Sequence, residues 1–421
     1  VRYLPRVDNI QSRHELISSA LIVVLPFSIV VSALLYLGSP TISGVFFDSV
    51  VAIFLVQIMA VAVPVQTLKK LLVGLARGLK DAKIKVIVND LATPIIQFAL
   101  IILAITYGYG TIGIGAAYVL SFLSGVVLFL WLIWRNHLVK FQPVNVLMRP
   151  DLFKFSFPLV LTSILAFSLH RIDRLFISYF GSTGEVGIYS AMANLAMFVI
   201  FAQTTFNFMF YPQFSEYHSM NDHENMEFLY QFVTKWAVIF SLPIIITFVL
   251  FPSITIQLTF GQGFIDGVDA LVILAISIYS NVIFGPNGDA VKALGQSRNV
   301  NIGTAIAFLA NIILNMILIP RSPLLGAAIA TGVAYLLWNL YYSYIIWNET
   351  SILPCNKALL RLLLACVALS SAYIVALSEL TADRTIVFIV FLMLAGLTYP
   401  VAIWYTGVVN EQDIDIIKSF I

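Results

Sequence analysis

Runs of roughly twenty apolar residues follow one another along nearly the whole chain, and that length carries an α-helix across the ~30 Å hydrocarbon core of a bilayer. Lipid offers no partner for a bare backbone N–H or C=O, so spanning segments are helices or closed barrels. The runs here are continuous, not ten-residue stretches of alternating polarity, which excludes the barrel. The chain reads as an all-α polytopic membrane protein with about twelve spans, near 15–37, 48–68, 84–107, 112–134, 155–179, 184–210, 231–256, 268–290, 299–320, 323–347, 357–378 and 385–408. About a quarter of the residues of a soluble domain are charged. Here 10% are charged and 60% hydrophobic, with a mean hydropathy of +0.96, so lipid must solvate most of the surface.

The distribution of Lys and Arg orients the spans. Arg2, Arg6 and Arg13 precede the first span, and Lys69, Lys70, Arg77, Lys80, Lys83 and Lys85 follow the second. Arg135, Lys140, Arg149 and Lys154 follow the fourth; Lys235, then Lys292 and Arg298, then Lys357 and Arg361, and finally Lys418 continue the series. The alternate loops hold only Arg321 and Arg384 and are short, as at 38–47, 107–111 and 181–185. Both termini of this chain are therefore expected on the cytoplasmic side of the cell membrane. The chain opens Val1-Arg2 without Met, and it is expected to be a fragment.

Several classes of function find no support. A formal charge of +2 gives no reason to expect a nucleic-acid partner. The two cysteines, Cys355 and Cys366, form neither a disulfide framework nor a metal pattern, and read as small packing residues. His218, Asp222, His223, Glu224 and Glu227 lie close together but match no established ligand spacing, so a solvated linker is expected and no metal. No phosphate-binding Gly-Lys-Ser/Thr loop is present, and neither direct ATP use nor another cofactor is indicated. No nucleophile–base pair is found, which argues against an enzyme.

An internal repeat is visible. Ala76-Arg77-Gly78-Leu79-Lys80 heads a span that ends in a turn followed by Gly113-Ile114-Gly115-Ala116-Ala117. Ala293-Leu294-Gly295-Gln296-Ser297 heads another, ending at Ile319-Pro320 before Leu325-Gly326-Ala327-Ala328. Shared membrane composition is the other source of such likeness; the matched order of turn, span, loop and Gly-Ala-Ala favours duplication. Repeated halves are the usual build of secondary transporters, with substrate sites near the midplane.

The sharpest polar feature is Ser168-Leu169-His170-Arg171-Ile172-Asp173-Arg174-Leu175 in the fifth span. At 1.5 Å per residue it lies about 24 Å from the cytoplasmic start of that span. His170, Asp173 and Arg174 fall on one helical face, with Arg171 on its flank. Each charge at depth costs at least ~2.5 kcal/mol and is hidden from lipid. One reading is a cationic patch in a watery cavity that grips an anion such as pyrophosphate, for which the arginine fork is suited. The other is an Arg–Asp pair that locks this helix to a neighbour, or arginines snorkelling to the interface. Asn207, Asn311 and Asn315 are candidates to line the same cavity, against the plainer role of interhelical hydrogen bonding. The break Phe284-Gly285-Pro286-Asn287-Gly288-Asp289-Ala290-Val291-Lys292 makes Asp289 and Lys292, with Asp90, candidates for a gate or coupling site, or an ordinary helix end.

Taken in order, several segments resemble the polysaccharide repeat-unit flippase family of the multidrug/oligosaccharidyl-lipid/polysaccharide exporter superfamily. They are Arg2-Tyr3-Leu4-Pro5-Arg6, Phe155-Ser156-Phe157-Pro158-Leu159 running to Arg171-Ile172-Asp173-Arg174-Leu175, Glu185-Val186-Gly187-Ile188-Tyr189-Ser190-Ala191, Phe260-Gly261-Gln262-Gly263-Phe264, and Ala293-Leu294-Gly295-Gln296 through Asn315-Met316-Ile317-Leu318-Ile319-Pro320. The resemblance implies about fourteen helices in two pseudo-repeated lobes plus a C-terminal pair. On that plan 1–140 is an N-lobe lacking its first two helices, 141–350 the C-lobe, and 351–421 the final pair with its tail. It further implies flipping of a polyprenyl-pyrophosphate-linked oligosaccharide from the inner to the outer leaflet by alternating access around a cationic cavity. Its partners would be the lipid-linked glycan, membrane lipids and polysaccharide assembly proteins. The alternatives are an ion-coupled multidrug/cation antiporter, which should present acids to a cationic drug, and an integral membrane polymerase or glycosyltransferase, which the short outer loops disfavour.

Overall fold

The computed structural model describes residues 10–47, 49–78, 82–135, 167, 171–353, 357–378 and 384–409. These residues are helical, without a strand, and divide into two compact units, Val1–Leu159 and Val160–Ile421. Nine of the described helical segments are long and apolar enough to cross a membrane, or ten if one bent pair counts as a single span. The protein is thus a multi-pass membrane protein. The predicted fifth span falls largely outside the described residues, as does the expected lobe boundary near 140.

In the first unit, α1 (Ile10–Leu37) and α2 (Ser39–Phe46) meet at a 60° bend. Gly38 sits at that bend, with Pro40 in the first turn of α2, where a missing N–H costs nothing. α3 (Val50–Gly78) packs on α1, and Ser32 Oγ donates to the Ala60 carbonyl at 2.6 Å. The second predicted span stops near 68, whereas α3 continues to Gly78. Lys69 and Lys70 therefore lie inside the helix and not in a following loop. α4 (Ala82–Lys85) runs into a π-helical segment, Val86–Ala92, and on into α5 (Thr93–Thr106). Gly108 and Gly110, both at positive φ, turn the chain into α6 (Gly110–Arg135), a turn that L side chains adopt poorly. A small core of Leu72, Ala76, Ile84, Val88, Val126, Phe129 and Ile133 ties α3, the π segment and α6 together. Phe27, Val50, Phe98 and Trp134 are exposed around it, as a lipid-facing belt requires.

The second unit holds α7 (Ile172–Phe180), α8 (Thr183–Ala196), α9 (Phe201–Ser219), α10 (His223–Leu250), α11 (Pro252–Thr259), α12 (Val268–Ile283), α13 (Asn287–Ala293), α14 (Ser297–Leu318), α15 (Pro323–Thr350), α16 (Lys357–Ser378) and α17 (Arg384–Tyr405). Ser182 and Glu185 form a reciprocal capping box at the start of α8. The break read at Phe284-Gly285-Pro286 is present between α12 and α13. Gly285 takes φ +69°, a Cβ there would lie 2.2 Å from Thr234 Oγ1, and Tyr230 donates to the Phe284 carbonyl at 2.7 Å. The C-terminal pair packs against this unit: Phe251 meets Phe388 and Phe391 at 5.5 and 4.7 Å, and Tyr399 donates to the Ile239 carbonyl.

Both copies of the sequence repeat fold as hairpins, α5–α6 and α14–α15, each closed through a glycine early in its second helix. A Cβ on Gly113 would stand 3.2 Å from the Ala104 methyl, and one on Gly326 only 2.6 Å from the Leu318 carbonyl carbon. Backbone cannot yield as a side-chain tip does. Gly326→Val is therefore expected to destabilise the α14–α15 hairpin by about 1–3 kcal/mol, as overpacking does. Scanning fluorimetry in detergent checks this, and an unchanged melting temperature would refute it.

Asp222 caps α10, accepting from the Asn225 side chain at 2.6 Å and its backbone N–H at 3.1 Å. These bonds, side chain first, hold its carboxyl below the usual carboxylate value. Because the folded pKa is the lower one, the cap stabilises fully above the ordinary carboxylate range and is lost as pH falls through the depressed value. Deuterium uptake at the start of α10, corrected for the intrinsic exchange rate at each pH, should rise as pH falls below about 4. Asp222→Asn, which keeps an acceptor without the titration, should flatten that rise.

Candidate functional site

Asp173, in the first turn of α7, is 4% exposed. Its Oδ1 accepts from Asn315 Nδ2 at 2.7 Å, and its Oδ2 from Thr331 Oγ1 at 2.7 Å and Tyr189 OH at 3.0 Å. Asn315 Nδ2 also donates to Asn311 Oδ1 at 2.9 Å. Asn311 and Asn315 are fully buried, stacked one turn apart on a single face of α14. Four helices, α7, α8, α14 and α15, thus converge on one carboxylate. Among the described residues no Lys or Arg nitrogen lies within 4 Å of it.

Small residues make the convergence feasible. Ala327, Ala328, Ala330 and Ala334 are completely buried along α15. A Cβ on Gly332 would fall 2.4 Å from Ser277 Oγ of α12, so the glycine lets the two helices approach closely with the serine hydroxyl left in place. α15 is thereby held close enough for Thr331 to reach the carboxylate.

A buried carboxylate is tolerated only when hydrogen-bonded or neutralised. Here amide and hydroxyl donors solvate it, while Asn311 Nδ2 and Asn315 Oδ1 have no hydrogen-bond partner among the described residues. The carboxylate, the Asn311 and Asn315 amides, Thr331 Oγ1 and Tyr189 OH form a polar cluster with a single charge, in which each side chain carries an oxygen. Hard cations take oxygen ligands, and one carboxylate balances one positive charge. Chemically the cluster suits a monovalent cation, exchanged against the donors that now surround the carboxylate.

The other sequence candidates lie apart from this cluster. Arg174, next in sequence to Asp173, is half-buried, and its Nε donates to Ser190 Oγ of α8 at 2.9 Å. Arg171 is exposed in the turn before α7, 5.4 Å from the Phe167 ring. Neither arginine pairs with Asp173 among the described residues; amides and hydroxyls take the place that the alternative reading gave to an Arg–Asp lock. His170 lies outside the described residues. Asn207 is on α9, with its Oδ1 buried and unpartnered among the described residues. Asp289 and Lys292 pair with each other on α13 at 2.9 Å, and Asp90 belongs to the first unit. Asn281 and Asn339, amides that interrupt their spans in the sequence, join a second interhelical network: Asn339 Nδ2 donates to Asn281 Oδ1 at 2.8 Å, and Asn287 Nδ2 to Asn339 Oδ1 at 2.9 Å. Tyr189 and Thr331 were missed as site residues, although Thr331 is the hydroxyl in an Ala-Thr-Gly stretch of a tightly packed helix.

Comparison with known proteins places this geometry in context. The sequence profile of the family described as "Polysaccharide biosynthesis protein" matches residues 7–269. The probable low-salt glycan biosynthesis flippase Agl15 of Haloferax volcanii is 26% identical over 203 residues, 48% of this chain and 43% of that one. An uncharacterized membrane protein of Methanocaldococcus jannaschii is 22% identical over 234 residues, 53% of this chain and 45% of that one. The match thus spans a little under half the length of each curated relative. Among solved structures, the lipid II flippase MurJ in an inward closed conformation superposes with a TM-score of 0.80 at 16% identity, covering 97% of this chain and 87% of that one. An inward-facing multidrug resistance MATE family transporter of the MOP superfamily gives 0.62 at 15% identity, over 81% and 82% of the two chains. These structural likenesses show a shared fold.

Proposed function

Since the chain belongs to the polysaccharide biosynthesis protein family, we propose that it moves a polyprenyl-pyrophosphate-linked glycan from the inner to the outer leaflet of the cell membrane by alternating access. The observation that carries this reading is the polar start of α7. There an exposed Arg171 and a half-buried Arg174 flank a buried Asp173 with no cationic partner among the described residues. The arginines offer planar, permanently charged forks suited to a diphosphate. Asp173, solvated by exchangeable donors, offers a place where a monovalent cation can be taken up and released. Binding of that ion would favour one arrangement of α7 against α14 and α15, and so link an ion gradient to transport. Support also comes from the name of the Haloferax volcanii relative, a probable glycan biosynthesis flippase, and from the superposition on a lipid II flippase.

On this reading the protein is a transporter, not an enzyme, its termini here face the cytoplasm, and assembly proteins that make or polymerise the glycan are its partners. The MATE likeness makes a cation/drug antiporter the alternative. The full-length protein in proteoliposomes, with a fluorescent polyprenyl-pyrophosphate oligosaccharide, separates the two. Protein-dependent movement between leaflets that responds to a Na⁺ gradient is expected. Extrusion of cationic dyes with no movement of the lipid would establish the antiporter instead.

A further inference from the structure

The first unit holds a charged cavity that the transport chemistry at α7 does not use. Lys69 lies about 28 Å along α3 from Val50 at 1.5 Å per residue. That distance nearly matches the ~30 Å thickness of the hydrocarbon core. Counted from Val50 as one edge of the core, its ammonium falls at the opposite edge, the level of the lipid phosphates of one leaflet. A lysine at that level ordinarily snorkels into the interface, and the neighbouring Lys70 is exposed in that way. Lys69 is not: it is 8% exposed and turned into the unit.

Two features of α6 receive it. Gly125 leaves a groove that a Cβ would close, coming within 3.3 Å of Lys69 Cε and 2.7 Å of Thr93 Oγ1. The Phe122 ring lies 5.5 Å from Lys69 Nζ. Among the described residues no carboxylate comes within 4 Å of that nitrogen. The nearby acid, Asp90, is 3.3 Å from Lys85 Nζ and accepts from Asn89 Nδ2 at 2.8 Å. A buried cation is costly unless nearby charge balances it; Asp90, more than 4 Å away and held by Lys85, offsets burial of Lys69 only in part, and an anion in the cavity relieves the remainder.

The space for one is present. A cavity of about 370 Å³ is lined by Gln66, Lys69, Lys70, Val73, Gly74 and Asn89. That lies within the ~300–1,000 Å³ range of ligand pockets. The π-helical segment Val86–Ala92 supplies Asn89 to its wall, and such segments recur at functional sites. Two ammonium groups and two carboxamides give the cavity a surplus of donors with net positive charge.

We propose that this cavity binds the phosphate group of a membrane lipid, Lys69 and Lys70 supplying the charge and Gln66 and Asn89 the amide donors. The site does not depend on the transport reading, because bulk anionic phospholipid and polyprenyl phosphate present the same chemistry at the same depth. The test is binding to the purified full-length protein in neutral detergent, followed by native mass spectrometry and by melting temperature. The probes are phosphatidylglycerol, polyprenyl phosphate, diacylglycerol and inorganic phosphate. One phosphate-bearing lipid per chain should be retained and should raise the melting temperature, while diacylglycerol does neither. Lys69→Met should weaken that binding at least tenfold, and Lys70→Met, an exposed change that leaves the fold intact, about threefold. Whichever phosphate lipid binds tighter names the source. Unchanged lipid binding in both variants, equal stabilisation by diacylglycerol, or inorganic phosphate competing as well as lipid would each overturn the proposal. None of these readouts involves flux, so a failed flipping assay leaves the outcome legible.

Discussion

Asp173→Asn is expected to abolish gradient-driven glycan translocation, by roughly 10²-fold or more, while leaving the protein folded. The asparagine keeps the size of the side chain and can still bond Asn315, Thr331 and Tyr189, but it carries no charge with which to hold a cation. Asp173→Ala goes further. It removes three bonds to a charged acceptor, each worth about 1.5–3 kcal/mol. It also removes a carboxylate whose burial costs several kcal/mol. These terms oppose each other, and a net destabilisation of about 1–3 kcal/mol is expected. Flux in proteoliposomes, measured beside the melting temperature, separates the two variants. Full transport by Asp173→Asn would remove Asp173 from any coupling role.

The double variant Arg171→Ala, Arg174→Ala should also eliminate glycan transport while the protein still inserts and melts normally. Arg171 is exposed and lies over the exposed Phe167 ring. Arg174 gives up, among its interactions, the Nε hydrogen bond to Ser190. A bond to a charged group is worth about 1.5–3 kcal/mol, roughly 10- to 150-fold in binding. Losing both forks should therefore cost 10²-fold or more in apparent affinity for a diphosphate. Arg174→Lys should restore only part of this, since an ammonium cannot reproduce the bidentate fork. Normal glycan export by the double variant would remove both arginines from the substrate path.

The second helical lobe shows how far the chain could be read without its structure. The predicted spans near 299–320 and 323–347 correspond to α14 and α15. The break at Phe284-Gly285-Pro286 lies where Gly and Pro placed it. The end of α3 was misjudged because Lys69 and Lys70 look like loop residues to a charge rule. That rule has no way to register that Gly125, far along the sequence, opens a groove for one of them. The cluster on α7 stood out in the sequence as its sharpest polar segment, but the sequence left open whether its charges face an anion or lock the helix to a neighbour. The structure gives Asp173 amide and hydroxyl partners on three other helices.

Length and continuity of the apolar runs by themselves determined that this chain is a bundle of membrane helices, because lipid satisfies no backbone group and leaves the helix as the economical answer. The order of its motifs likewise determined the family. Only the tertiary structure decided what surrounds Asp173. Its partners Tyr189, Asn315 and Thr331 lie 16, 142 and 158 positions away. Helical periodicity orders residues within one turn or two. Contacts between helices depend on which small residues let two backbones approach, and in an apolar chain those positions look alike until the packing is known.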